Sequence, residues 1–82
     1  MKYELRDVDA MIEGDSWCYN ASYKMSEFIC KTDNPKRAML KALHKAGVSC
    51  NRGKCVVIDD GDILELIERK SKEPLFCAVP LQ

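Results

Sequence analysis

Residues 34–47, NPKRAMLKALHKAG, hold a helix start, a helix period and a helix stop in one short stretch, while the segments on either side alternate with a period of two. The side chain of Asp33 or Asn34 can accept from amides that a first helical turn leaves without partners. Pro35 loses nothing at the first helical position by lacking an N–H. Gly47 supplies the left-handed residue on which helices end. Between them Met39, Ala42, Leu43 and Ala46 fall at i, i+3, i+4 and i+7 and form an apolar stripe. Arg37, Lys41 and Lys45 repeat every fourth residue on the opposite side. One amphipathic helix among strands must bury its stripe on a sheet, so the expected class is α+β, an antiparallel sheet with the helix on one face.

The alternating segments supply the strands. Tyr3 and Leu5 share one phase, and Val8, Ala10 and Ile12 take the other, which predicts a strand with a bulge near Arg6 and Asp7. Residues 13–16, EGDS, read as a turn. Trp17, Tyr19, Ala21, Tyr23 and Met25 recur at every second position, so residues 17–30 form a second long strand paired with the first. Phe28 and Cys30 shift phase again, and the strand bends there. After the helix, residues 55–58 are an apolar run closed by the turn DDGD at 59–62. Residues 63–70, ILELIERK, fit a helical face through Ile63, Leu66 and Ile67, with Asp62 and Glu65 as a capping box. The strand reading is preferred, because "IERKSKEPLFCAV" continues as two strands joined at 70–73, the last at 75–79. The order is ββαβββ in a single domain, 1–82.

Composition bounds the function. A chain of 82 residues buries only roughly 60% of the surface its unfolded form exposes, which leaves little reserve for a deep pocket. Apolar residues at 46% and charged residues at 32% suit a soluble globular protein. No apolar run approaches the ~20 residues that cross a bilayer, so no membrane partner is expected. MKYELRDVDA lacks the apolar stretch of a signal peptide, and the expected location is cytoplasmic. Five cysteines, without a C-x-x-C pair, read as small buried hydrophobes in a reducing compartment, Cys50 and Cys55 being the first pair to test for a disulfide.

Net charge is zero but unevenly placed. Residues 31–54 hold Lys31, Lys36, Arg37, Lys41, Lys45, Arg52 and Lys54 against Asp33 alone, while residues 1–30 and 55–82 each hold three cations against six acids. A basic helix with its flanks is thus mounted on an acidic sheet. Three readings fit. The lysines are a solvated outer face that offsets the acidic sheet and suits the helix dipole. Alternatively, Arg37, Lys41 and Lys45, spaced about 6 Å apart along the helix, track backbone phosphates. In the third reading they meet a charged patch on a protein.

Other constellations each have a plainer alternative. Trp17, Tyr19 and Tyr23 form either a stacking platform or hot spot, or a core face under the helix. Asp59, Asp60 and Asp62 with Glu68-x-Lys70 resemble the carboxylate and lysine pattern of a Mg²⁺ nuclease, or are turn acids beside a solvated strand. His44 is the only histidine, so a metal cluster or triad would rest on it alone, and a boundary position is the default. A nucleophile pair of His44 with Cys50 or Cys55 has no favourable spacing, and a zinc site at His44, Cys50, Cys55 and one more cysteine would use a C-x4-C spacing at the edge of the structural range. No catalytic residue, metal or cofactor is assigned.

At "YELRDVDA", "DSWCYNASYKMSEF", "RAMLKALHKAG" and "IERKSKEPLF" the chain resembles small open reading frames carried by phages and mobile elements of Gram-positive bacteria. The resemblance covers most of the chain and implies a non-enzymatic protein that occupies a surface of a host enzyme, an anti-CRISPR inhibitor being one such case. The expected function is therefore binding to a protein partner, with inhibition of a nucleic-acid-handling enzyme. The alternative is a nucleic-acid-binding module using the basic helix 35–46, and the third reading is a small Mg-dependent nuclease. Expected contact residues are Trp17, Tyr19, Arg37, Lys41, Lys45, Arg52, Asp59, Asp60 and Asp62. A homo-oligomer whose opposite charges pair head to tail stays open.

Overall fold

Gly14 and Asp15 are the whole connection between the first two strands: Glu13 pairs with Ser16, and Gly14 takes the positive φ (63°) that lets a two-residue turn match the twist of its strands. The computed structural model describes residues 1–81. It contains β1 (Lys2–Glu13), β2 (Ser16–Ile29), α1 (Pro35–Lys45), a 3₁₀ turn (Arg52–Lys54), β3 (Cys55–Asp59), β4 (Leu64–Glu68) and β5 (Pro74–Pro80). The ββαβββ order is as expected, and residues 64–68 are strand rather than helix. All pairings are antiparallel in the order β2-β1-β5-β4-β3. The last strand therefore sits in the middle and joins two hairpins distant in sequence.

The helix forms as its signals predict. The Asn34 side chain accepts from the Arg37 amide at 3.1 Å, with Pro35 in the first turn. At the other end Gly47 has φ 84°, its amide donates to the His44 carbonyl, and the Val48 amide donates to the Leu43 carbonyl at 2.9 Å. That pair of bonds satisfies carbonyls the last turn leaves free and folds Val48 onto the core. Met39, Leu40, Ala42 and Leu43 are buried. Ala46, expected in the apolar stripe, is exposed at the C-cap, and Leu40 is buried in its place. The reason is that the chain turns back at Gly47, so the helix ends before Ala46 can reach the sheet. Under the helix lie Leu5, Ala78 and Leu64, in register across β1, β5 and β4, and Leu66, which pairs with Phe76. The helix backbone comes nearest the two edge strands, β2 and β3, so the sheet wraps around it.

The phase change in β1 has a different cause from the one the sequence suggests. The register breaks do fall between Leu5 and Val8, but the extra residues lie in β2: Leu5 to Arg6 spans Ser26 to Lys24, and Arg6 to Val8 spans Lys24 to Ala21. β1 alternates without insertion, so Tyr3 and Leu5 face the helix while Val8, Ala10 and Ile12 face the other side of the sheet. The change in apolar phase thus marks a strand that supplies two different apolar clusters. Beyond Asp7 the hairpin leaves β5 and forms an arm over the second face. There Ile67 and Cys77 are buried outside the helix-side core. The Trp17 indole donates to the Ser71 carbonyl at 3.2 Å, and the Tyr19 hydroxyl donates to the Glu65 carboxylate at 2.6 Å. Trp17 and Tyr19 therefore do not lie under the helix, and Tyr23 is 65% exposed.

The cysteines are all free, and only two are buried: Cys55 lies in the helix-side core and Cys77 beneath the arm. Cys18 is exposed, which departs from the expectation of five buried thiols. Burial pushes the Cys50 and Cys77 thiols up from their ordinary range, against a lesser opposing pull of Arg6 on Cys77.

Candidate functional site: a basic groove beside a strand edge

β2 pairs with β1 on one side only, so its other side is an edge of the sheet. The end of that edge, residues 26–29, runs beside α1, and between them opens a groove of about 800 Å³. Phe28, Ala38 and Ala42 give it an apolar floor, and Lys31, Arg37, Lys41 and Lys45 line it with charge. A second opening of about 420 Å³ lies across the helix, lined by Leu40, Val48, Cys50, His44 and Arg52. Lys41 and Lys45 line both and so form the ridge between them. The helical period explains the placement. Residues four apart share a side, and the side opposite Met39 and Leu43 must face water.

None of Lys31, Arg37, Lys41, Lys45 and Arg52 has an ion pair among the described residues. The sheet's cations behave differently. Lys2 and Lys24 hold Glu27 at 2.7 and 2.6 Å, and Arg6 pairs with Glu4. Glu27 lines the groove, yet its carboxylate is already bound by two ammonium groups, whose hydrogen bonds and charge lower its pKa to about 2. Lys36 is also engaged: its ammonium donates to the Arg52 and Cys55 carbonyls at 2.9 and 2.8 Å, pinning the loop before β3 to the start of the helix. Among the described residues the groove cations are thus held by no carboxylate, as are Lys54, Arg69, Lys70 and Lys72 outside the groove.

The remaining expected contact residues lie elsewhere. Asp59 and Asp60 each accept turn amides, Asp59 from Gly61 at 3.0 Å and Asp60 from Asp62 at 3.0 Å and Ile63 at 2.8 Å. Asp62 is exposed in the same turn. Asp59 pairs with Leu64, and Glu68 pairs with Cys55, so the turn acids and Glu68-x-Lys70 occupy opposite ends of the β3–β4 hairpin and are not brought together. Among the described residues no group of three or more His, Cys, Asp or Glu side chains could hold a metal ion. Trp17 and Tyr19 direct their polar ends inward onto the second face. Burial foremost, then the Glu65 hydrogen bond and charge, pushes the Tyr19 phenol above its ordinary range.

Arg37, Lys41 and Lys45 thus line one groove, and Arg52 lines the opening on the other side of the Lys41 and Lys45 ridge. Ser26, Phe28, Ile29, Lys31 and Ala38 complete the groove, and sequence reasoning did not single them out as a site. Lys31 carried a signal, being part of the basic third of the chain. The apolar floor carried none, because only the tertiary pairing brings the end of β2 beside α1. No helix among the described residues is long and apolar enough to cross a membrane. Comparison with protein-family models, curated proteins and solved structures gives no match to this chain.

Proposed function

We propose that the chain is a small non-enzymatic binding protein that docks on an acidic surface of a protein partner through the α1 and β2 face. With the phage-like resemblance of the sequence, the reading is an inhibitor that occupies a nucleic-acid-handling host enzyme. One observation carries it: Lys31, Arg37, Lys41 and Lys45, four cations without carboxylate partners among the described residues, converge on a groove whose floor is apolar. A solvated helix face needs no groove. A phosphate track of the single-stranded kind gains from exposed aromatics, and here Trp17 and Tyr19 point to the other face.

The double variant Lys41→Glu with Lys45→Glu separates binding from folding. Neither ammonium has an ion pair among the described residues, so the cost to stability is confined to the helix dipole at Lys45 in the last turn, about 0.5–1 kcal/mol, while retention of a partner from a Gram-positive bacterial lysate is lost. Anisotropy of labelled duplex DNA, single-stranded DNA and RNA stays flat at about 50 mM salt. A titration that weakens steeply with salt and vanishes in the double variant would instead establish the nucleic-acid reading. Retention that survives both charge reversals would remove the basic face from the function.

A further inference from the structure

We infer that the groove takes an acidic, extended peptide segment of the partner, which adds to the outer edge of β2 as a sixth strand. This rests on the protein-binding reading above and specifies how the partner is held. Three features of residues 26–29 point to it.

The first is the free edge. Apart from pairing with β1, the backbone groups of residues 26–29 have no hydrogen-bond partner among the described residues. An edge of this kind is a template for another strand. On the opposite edge one outward group is taken up, the Cys55 carbonyl of β3, which accepts from Lys36. The bulges of β2 lie at 21–26, so the segment after them keeps a regular register with β1, from Ser26 opposite Leu5 to Ile29 opposite Lys2.

The second is the shape beside that edge. A strand laid along residues 26–29 would have α1 on one side, so every second side chain would enter the groove over Phe28 and Ala42. Phe28 is no stacking platform for a base, since its ring is already stacked on Tyr3, with centroids 5.4 Å apart and planes 18° from parallel. Ser26 also lines the groove, and its hydroxyl has no partner among the described residues.

The third is charge. Lys31, Arg37, Lys41 and Lys45 surround the position such a strand would take, and Glu27, the acid there, is neutralised by Lys2 and Lys24. An incoming segment with carboxylates at alternate positions would find ammonium and guanidinium groups without rivals. Main-chain bonds would supply affinity, and the cations would choose acidic over neutral sequences.

The test is selection from a displayed library of random 12-residue peptides on the full chain, with the Lys41→Glu, Lys45→Glu double variant as counter-target. The expected winners are acidic with apolar residues at alternate positions. The strongest is then synthesised with its backbone amides N-methylated on one alternating set of residues or on the other. A strand has one set of N–H groups facing its neighbour, so one methylated peptide loses roughly tenfold or more in affinity and the other keeps it. Equal affinities for both methylated peptides, with loss in the double variant, would overturn strand addition and leave the basic face as a protein-docking surface. Enrichment of neutral or basic peptides would overturn the charge argument. If no peptide is enriched and labelled single-stranded DNA binds, both this inference and the protein-binding reading fail. Self-association in sedimentation that the winning peptide displaces would assign the edge to a second copy of the chain and overturn the inference.

Discussion

The two faces of the sheet are covered in different ways. Under α1, Leu5, Met39, Leu43, Leu66 and Ala78 are fully buried and packed side by side. Under the arm, Ile67 and Cys77 are buried, and the cover is held by two hydrogen bonds, from Trp17 and Tyr19. Met11 and Ile12, near the arm's tip, are 64% and 65% exposed. Non-directional apolar packing seals the first face, and its strength grows with the area removed from water. The second is latched at points. The helix side should therefore set global stability, while the arm can loosen by itself. The candidate binding groove borders the stable side, where its floor is shared with the core, so a docking partner would meet a preformed surface.

The sharpest way to break the contrast is Leu43→Ala. Leu43 is fully buried in the helix-side core, and its truncation should cost about 2–5 kcal/mol in chemical denaturation, with both faces unfolding together. A loss under about 1 kcal/mol would mean that the helix is not the principal cover of the sheet.

A smaller and local effect is expected at the latch. Tyr19→Phe removes a hydroxyl that donates to a carboxylate on a half-exposed surface, and should cost about 1 kcal/mol while raising hydrogen exchange in the arm. The alkaline side gives the same contact a pH signature. The folded phenol is held above its ordinary value of 10.0, so the neutral form is the one the fold favours, and its contribution is complete below that value. It is lost as pH rises above the ordinary range toward the folded value. Exchange of arm amides should accelerate there in the parent more than in the variant, against the core amides as reference. Equal acceleration in both would show that Glu65 does not hold the arm.

The smallest effect belongs to the exposed ion cluster at the base of the hairpin. Glu27 has its pKa lowered to about 2 by Lys2 and Lys24, from an ordinary 4.5. Its contribution is therefore present above the ordinary value and fades as pH falls through the interval toward about 2. Glu27→Gln should flatten the acid limb of the stability curve slightly, and added salt should do the same in the parent. An acid limb unchanged by either would show that these exposed pairs contribute nothing measurable.

Local signals in the chain were strong wherever one residue type has a steric or hydrogen-bonding reason to be there. Asn34, Pro35 and Gly47 bound the helix at Pro35–Lys45, Gly14 makes the hairpin turn, and Asp59, Asp60 and Gly61 make the turn before β4. Alternation identified β1 and β2, and the continuation past Glu68 identified β4 as a strand. The basic stripe of Arg37, Lys41 and Lys45 was legible for the same reason, since it follows from the helical period.

What periodicity cannot express is which surface a set of side chains will meet. Trp17, Tyr19 and Ala21 share a face by alternation alone, but whether that face lies under the helix or over Cys77 depends on where β5 enters the sheet. The bulges lie in β2 rather than in β1, where the apolar phase changes, for the same reason: a phase change in β1 looks identical whether a residue is inserted or the buried side switches. The groove belongs to this second class. Its cations could be read from the sequence as a stripe. Their lack of ion pairs among the described residues, the edge of β2 beside them and the apolar floor between follow from contacts between residues far apart in the chain, which only the closing of β5 between β1 and β4 brings together.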